Sequence, residues 1–343
     1  MHEEVLLQSN KKFILPQKAL IVFPDFIGDS IILTAFLRNF CGNLPDEAII
    51  HVCANKVIAD MLDGNPYIDM IFVKNKIRRI SDFLNRQNYD TAIILDFSLA
   101  WSFHILKSGI NQKIITDMRR ANLRIHKFLE GFFTHVLSNT TIKDKTPQLE
   151  VYLGYLRQLG LTVFDKHLEV KIGFEDMNSA KKLIKNNKKK KIFLHLGASI
   201  YSKKWPVEYW QEIIAYLKKN EIYVIGAGHL PEILNGKNII NLCSKTSLKQ
   251  TIALLHNADV LITTDSAPAH LAAVAKVPNI IVLYGPTNYH QWRPYAPNSN
   301  VFQLHANVEC NPCNLRVCKG LKCLKELKPE MVIETLQKIK VFH

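Results

Sequence analysis

Acidic residues are scarce in the second half of this 343-residue chain. Residues 1–170 carry 20 Lys and Arg against 18 Asp and Glu, whereas residues 171–343 carry 24 against 12. A net charge of +14 placed this way favours anionic partners without naming them. Long apolar runs are missing too: Asp265, His270 and Lys276 interrupt the best candidate for a membrane span. The N-terminus lacks the pattern of a signal peptide, so a cytoplasmic protein is expected. No nucleic-acid-binding motif occurs, and basic and aromatic residues do not interleave along any strand pattern, so nucleic acid is not an expected partner. A phosphorylated donor or an anionic membrane surface fits the charge equally well. Seven Cys point away from a disulfide framework in a cytoplasmic chain of this size. Cys41, Cys53 and Cys243 fall in apolar segments and read as core.

What the chain has is alternation. Short apolar runs of strand length recur between amphipathic segments in both halves, which at this length implies two α/β domains. Strands are expected at Ala19–Phe23, Ala48–Val52, Met70–Val73, Thr91–Leu95 and Lys113–Thr116, with helices at about 122–136 and 147–159 closing the first domain. The stretch 161–190 loses periodicity and reads as a linker, placing the domains at 1–165 and 170–328. A last helix, within 329–343, is expected to pack back on the first domain.

The stretch Val260–Pro286 organises the second half. Val260–Thr263 reads as a buried strand and Pro268–Ala275 as a small-residue helix, with Asp265 and Ser266 at the turn between them. Asn279–Tyr284 completes a βαβ unit. Ligands of such units bind beyond the carboxyl ends of the strands, and a helix N-terminus there suits an anion. The bland alternative is that Asp265 and Ser266 only cap the helix. Lys203 lies in the loop after the strand Ile192–Leu196, where a lysine can neutralise a diphosphate. Gly226-Ala-Gly228 invites a dinucleotide reading, but Pro231 holds the third glycine position and no acid ends the next strand, so that reading is rejected.

The first half carries a similar strand, turn and helix: Ala19–Phe23, then Pro24-Asp-Phe-Ile-Gly28-Asp29. Gly28 is expected to let the backbone turn tightly, and Asp29 to sit at the sheet mouth or to serve as helix N-cap. Arg119, Arg120 and Arg124 crowd a stretch with a single acid, Asp117. They form either solvated surface or a pocket for an anionic acceptor. Cys310, Cys313, Cys318 and Cys323 have the spacing C-x2-C-x4-C-x4-C, which permits thiolate coordination of zinc or iron. Its outer intervals are short for a zinc ribbon, so the expectation is no metal and a cysteine-bearing loop.

Taken jointly, Ile27-Gly28-Asp29, Gly197-Ala-Ser199 with Lys203-Lys-Trp-Pro206, Thr264-Asp-Ser-Ala-Pro-Ala-His270, and Tyr284-Gly-Pro-Thr287 running into Trp292-Arg-Pro-Tyr295 resemble bacterial glycosyltransferase family 9. These are the ADP-heptose:lipopolysaccharide heptosyltransferases, and the likeness covers nearly the full chain. Cys310-Asn-Pro-Cys313 is similar to the tail of many members. The resemblance implies a GT-B fold, two Rossmann-like domains facing each other across a cleft. It further implies inverting transfer of heptose from ADP-heptose to a sugar hydroxyl of a lipopolysaccharide or lipooligosaccharide core, with no cofactor and no catalytic metal. Asp29 would be the general base, with Lys203 and Ser199 at the diphosphate. Asp265, Ser266, Ala267 and His270 would hold the donor, with Gly28 and Glu232 as further donor contacts. Implied partners are the nucleotide sugar, an anionic lipid-linked saccharide and, peripherally, the inner face of the inner membrane. Phe23 departs from the pattern, since members often carry a basic residue there. A transferase using another nucleotide sugar or a protein acceptor, or a binding protein without turnover, stays open as an alternative.

Overall fold

A computed structural model describes residues 12–95, 98–116, 128–138, 145–228, 231 and 236–339. The chain forms two compact units, one of Met1–Lys143 and Leu149–Lys171, the other of Asp144–Gln148 and Ile172–His343.

The first unit is a parallel sheet of β1 (Lys18–Val22), β2 (Ile49–Ala54), β3 (Met70–Val73), β4 (Thr91–Ile94), β5 (Gln112–Thr116) and β6 (His135–Leu137), in the order β3-β2-β1-β4-β5-β6. Register is fixed from the middle: Ala19 pairs with Ile50 of β2 and with Thr91 of β4. Parallel strands covered on both faces must be apolar throughout, and Ala19 to Val22 are fully buried. The described helices are α1 (Ile27–Cys41), α2 (Lys56–Leu62), α3 (Ile80–Gln87), α4 (Leu99–Lys107) and α5 (Gln148–Gln158), of which α5 belongs here from Leu149 on. Buried Asn39 of α1 fastens the returning chain: its Oδ1 accepts from the amides of Phe164 and Asp165, and its Nδ2 donates to the Asp165 carbonyl.

The second unit repeats the plan with β7 (Lys191–His195), β8 (Glu221–Val224), β9 (Ile239–Asn241), β10 (Val260–Thr264), β11 (Asn279–Tyr284) and β12 (Asn300–His305), ordered β12-β11-β10-β7-β8-β9. Around it lie α6 (Phe174–Leu183), α7 (Val207–Tyr216), α8 (Leu248–Leu255), α9 (Ala267–Val274), α10 (Lys322–Lys325) and α11 (Pro329–Lys338). Read from its first strand outward, each sheet has the order 3-2-1-4-5-6. The strand sequence therefore reverses between β1 and β4 and again between β7 and β10, and ligands of open α/β sheets lodge at such reversals.

Four elements depart from the sequence expectations. The expected helix at about 122–136 ends early: residues 128–130 are helical, but the chain then turns into β6, which Thr134 pins to β5 by giving its amide and hydroxyl to the Lys113 carbonyl and accepting the Lys113 amide. Residues 161–190 are not a bare linker but contain α6, whose first turn is fixed by the Gly173 amide donating to Asp176 Oδ2 at 3.2 Å. The strand β12, with half-buried side chains along an edge, had no expected counterpart. The last helix, α11, belongs to the second unit, not the first. Val332 and Leu336 are fully buried in a core shared with Trp205, Trp210 and Leu283, burial worth roughly 3–6 kcal/mol. Among the described residues no helix is long and apolar enough to cross a membrane.

Candidate functional site

In the second unit, the turns leaving β7 and β10 lie side by side at the strand reversal. The chain after β7 runs through Gly197 and Ser199 into a single 3-10 turn at Tyr201–Lys203. Lys203 Nζ lies 2.8 Å from Asp265 Oδ2, the first residue past β10. Both side chains are largely buried, at 18% and 6% exposure, so the pair is well shielded from water. Thr287, on the chain past β11, donates its hydroxyl to the same Asp265 oxygen. Thr264 bonds the Gly197 carbonyl through its hydroxyl, joining the two turns a second time.

Ser266 occupies the N-cap position of α9, but its side chain makes no capping hydrogen bond, and Asp265 turns to Lys203 instead. The bland reading, in which both only cap, therefore does not describe this turn. The Ser266 hydroxyl donates to the Thr264 carbonyl at 3.0 Å and lies 3.2 Å from His195 Nδ1. Ala267 opens α9 half-buried, and Ser199 is exposed on the β7 turn.

Two buried histidines flank this cluster. His270 is enclosed on α9 near Asp265 and Lys203, and its Nδ1 has no hydrogen-bond partner among the described residues. Burial pushes its pKa down to about 4; Asp265 opposes that shift and Lys203 assists it. His195, at the end of β7, is pushed to about 4 by burial and bonds the Thr263 hydroxyl at 3.2 Å. The sequence reading missed His195. Its signal was Gly226, where the backbone is left-handed (φ +125°) and a Cβ would come within 2.6 Å of the imidazole. Gly226 after β8 thus makes room for a histidine, in keeping with the rejected dinucleotide motif.

In the first unit, β1 leads through Pro24–Phe26 into α1. The N-cap is Phe26, so Asp29 is the third helical residue and not a cap. A carboxylate there is favoured by the helix dipole, and Asp29 is only half-buried. Gly28 is the second residue of the helix rather than part of a left-handed turn. The Tyr152 hydroxyl donates to Asp29 Oδ1. Phe23, where a cation had been looked for, is fully buried. Lys74 reaches the place from the end of β3: its ammonium donates to the Phe23 carbonyl at 2.7 Å and to Asp25 Oδ1 at 3.0 Å. Sequence distance hid it, since strand pairing alone brings the end of β3 toward the end of β1.

Glu232, Arg119, Arg120 and Arg124 lie outside the described residues. Cys310, Cys313, Cys318 and Cys323 all hold free thiols. Burial raises the Cys323 pKa, and the three other thiols are near enough to raise it further. Among the described residues, however, no group of three or more His, Cys, Asp or Glu is placed to hold a metal ion.

Comparison with known proteins gives the chain its relatives. Residues 77–324 match the family model Glycosyltransferase family 9 (heptosyltransferase). Lipooligosaccharide heptosyltransferase 2 of Campylobacter jejuni serotype O:2 is 29% identical over 337 residues, covering 92% of this chain and 96% of the relative. Among solved structures, a glycosyl transferase family 9 protein from Veillonella parvula has a TM-score of 0.76 at 22% identity, covering 96% of this chain and 99% of that one. Escherichia coli ADP-heptose lps heptosyltransferase II has a TM-score of 0.71 at 20% identity, covering 94% and 98%. The α/β class is the expected one, two Rossmann-like domains of the GT-B type.

Proposed function

The chain belongs to glycosyltransferase family 9, and from that membership we propose that it is an inverting transferase moving heptose from ADP-heptose to a hydroxyl of a lipopolysaccharide or lipooligosaccharide core sugar. The observation carrying this reading is the Lys203–Asp265 pair at the β7/β10 reversal, beside the start of α9. A sugar–diphosphate donor needs a cation that stays with the leaving group as its charge grows, and the paired ammonium is pre-oriented for that. The amide end of α9 adds positive potential at the same point. Asp265, with one oxygen held by Lys203 and Thr287, and the half-buried Ser266 and Ala267 border the same donor.

The chemistry divides between the units. Asp29 takes the proton of the acceptor hydroxyl as its oxygen bonds to the anomeric carbon from the face opposite the diphosphate. The bond from that carbon to the diphosphate oxygen breaks, and ADP departs with the electron pair, its charge met by Lys203. Attack opposite the leaving group inverts the anomeric centre. This scheme assigns no step to a metal or cofactor. The acceptor is lipid-linked and anionic, so the protein works peripherally at the cytoplasmic face of the membrane that holds it.

The test offers ADP-heptose, UDP-glucose and GDP-mannose separately with lipooligosaccharide cores truncated before and after the first heptose. Mass spectrometry should find a product one heptose heavier with ADP-heptose alone. Transfer of a different sugar, or ADP binding without transfer to any core, would contradict the proposal.

A further inference from the structure

Asp29 stands on α1 and Tyr152 on α5, 123 residues apart in sequence, and both belong to the first unit. Tyr152 is buried at 7% exposure, with its ring packed 6.0 Å from that of Tyr155 one turn on. Its phenol is therefore a fixed donor, whereas Asp29 is a half-exposed side chain in the first turn of a helix. A phenol of this kind would reach an aspartate on another element only if the packing of α5 aims it there. Nothing in the stability of α1 requires the contact, since a carboxylate in the first turn is already favoured by the helix dipole.

We propose that Tyr152 is a positioning residue that fixes the rotamer of Asp29, so that its carboxylate is presented to the acceptor hydroxyl. The inference rests on the reading of Asp29 as the general base. A hydrogen bond from a neutral phenol to a carboxylate is charge-assisted and directional. Clamping Oδ1 removes freedom about the side-chain torsions of Asp29 and fixes the direction in which the carboxylate faces. Proton transfer needs hydrogen-bond reach between base and hydroxyl, and small misplacements cost rate steeply. The phenol itself neither gives nor takes a proton in the balanced step; the acceptor proton ends on Asp29.

The experiment measures single-turnover transfer from saturating ADP-heptose to lipooligosaccharide core in four proteins: wild type, Tyr152→Phe, Asp29→Asn and the double variant. Tyr152→Phe keeps the buried ring and loses one oxygen. It should slow the chemical step about tenfold, the scale of a lost hydrogen bond to a charged group, while ADP-heptose affinity stays within about twofold. In the Asp29→Asn background the same change should have no further effect, because the base it positions is gone. Fluorotyrosine incorporated at position 152 keeps the hydroxyl and should restore the rate, which separates positioning from damage to the fold. A wild-type rate in Tyr152→Phe beside an inactive Asp29→Asn would overturn this inference and leave the base assignment standing. Further slowing of Asp29→Asn by Tyr152→Phe would also overturn it, since that marks a structural role. Full turnover in Asp29→Asn would remove the base reading, and this inference with it.

Discussion

Lys203 and Asp265, 62 residues apart in sequence, form a shielded ion pair 2.8 Å long that joins the turns leaving two adjacent parallel strands. The pair has a structural and a chemical consequence, and a single substitution conflates them. Lys203→Ala strands a buried carboxylate and should cost roughly 3 kcal/mol of stability, the lower end for a broken buried pair. Lys203→Ala with Asp265→Asn removes the stranded charge and should recover most of that loss, seen as a return of the urea midpoint. ADP affinity should not recover, because the cation is still missing. Wild-type ADP affinity in Lys203→Ala would remove the second unit from the donor role.

Stability should depend on pH through the two buried histidines. His195 and His270 are pushed from an ordinary 6.5 to about 4 by burial, so between those values the unfolded chain binds protons that the folded chain does not. Their contribution is complete above pH 6.5 and is lost as pH falls toward 4, at up to roughly 1.4 kcal/mol per pH unit for each imidazole. Urea unfolding at pH 7.5, 6.5, 5.5 and 4.5 should show a shallower decline in His195→Asn than in wild type. Equal slopes in the two proteins would show that His195 titrates alike folded and unfolded.

For the acceptor, the density of Arg119, Arg120 and Arg124 in an otherwise nearly neutral half of the sequence leads us to propose that they bind the anionic acceptor. Changing all three to Ala should raise the acceptor KM several-fold with donor affinity unaltered. Unchanged kinetics with lipooligosaccharide core would mark them as ordinary surface.

Metal independence is checked by exhaustive dialysis of the protein against a chelator, with metal content measured before and after. Transfer should persist at its original rate after dialysis. Loss of turnover that zinc or iron restores would place the four-cysteine loop in the working enzyme.

Sequence periodicity located the central strands because their physics is local: a strand buried on both faces is apolar over most of its length, as Ala19–Val22 and Val260–Ile262 are. The edges were harder. β12 is only half-buried, and β6 is held by Thr134 against Lys113, neither of which leaves a strong pattern in the chain. α11 was assigned to the wrong unit because an amphipathic stripe states that a helix packs, not which core it packs on. At the sites, Asp29, Lys203 and Asp265 were singled out by residue type and turn position, while the role of Asp29 as base and the naming of His270 came from the family resemblance. His195, Lys74 and Tyr152 were not singled out, since each acts through a neighbour that only strand pairing or helix packing brings near. Capping logic misplaced Asp29, since Phe26 is the N-cap of α1, but placed Ser266 correctly at the N-cap of α9, where its hydroxyl makes no capping bond.

The most direct test of the account is the transfer rate of Asp29→Asn. Because Asp29 is the third residue of α1 and not its cap, the change removes a favourable charge–dipole contact, about 0.3–1 kcal/mol, and leaves an amide oxygen that can still accept from Tyr152, so the protein should stay folded. ADP-heptose affinity should be little altered, since Lys203 and the start of α9, proposed to hold the diphosphate, belong to the other unit. Transfer to lipooligosaccharide core should fall by about a hundredfold or more in kcat, the scale of a positioned base. Turnover near the wild-type rate in a folded, donor-binding Asp29→Asn protein would contradict the account.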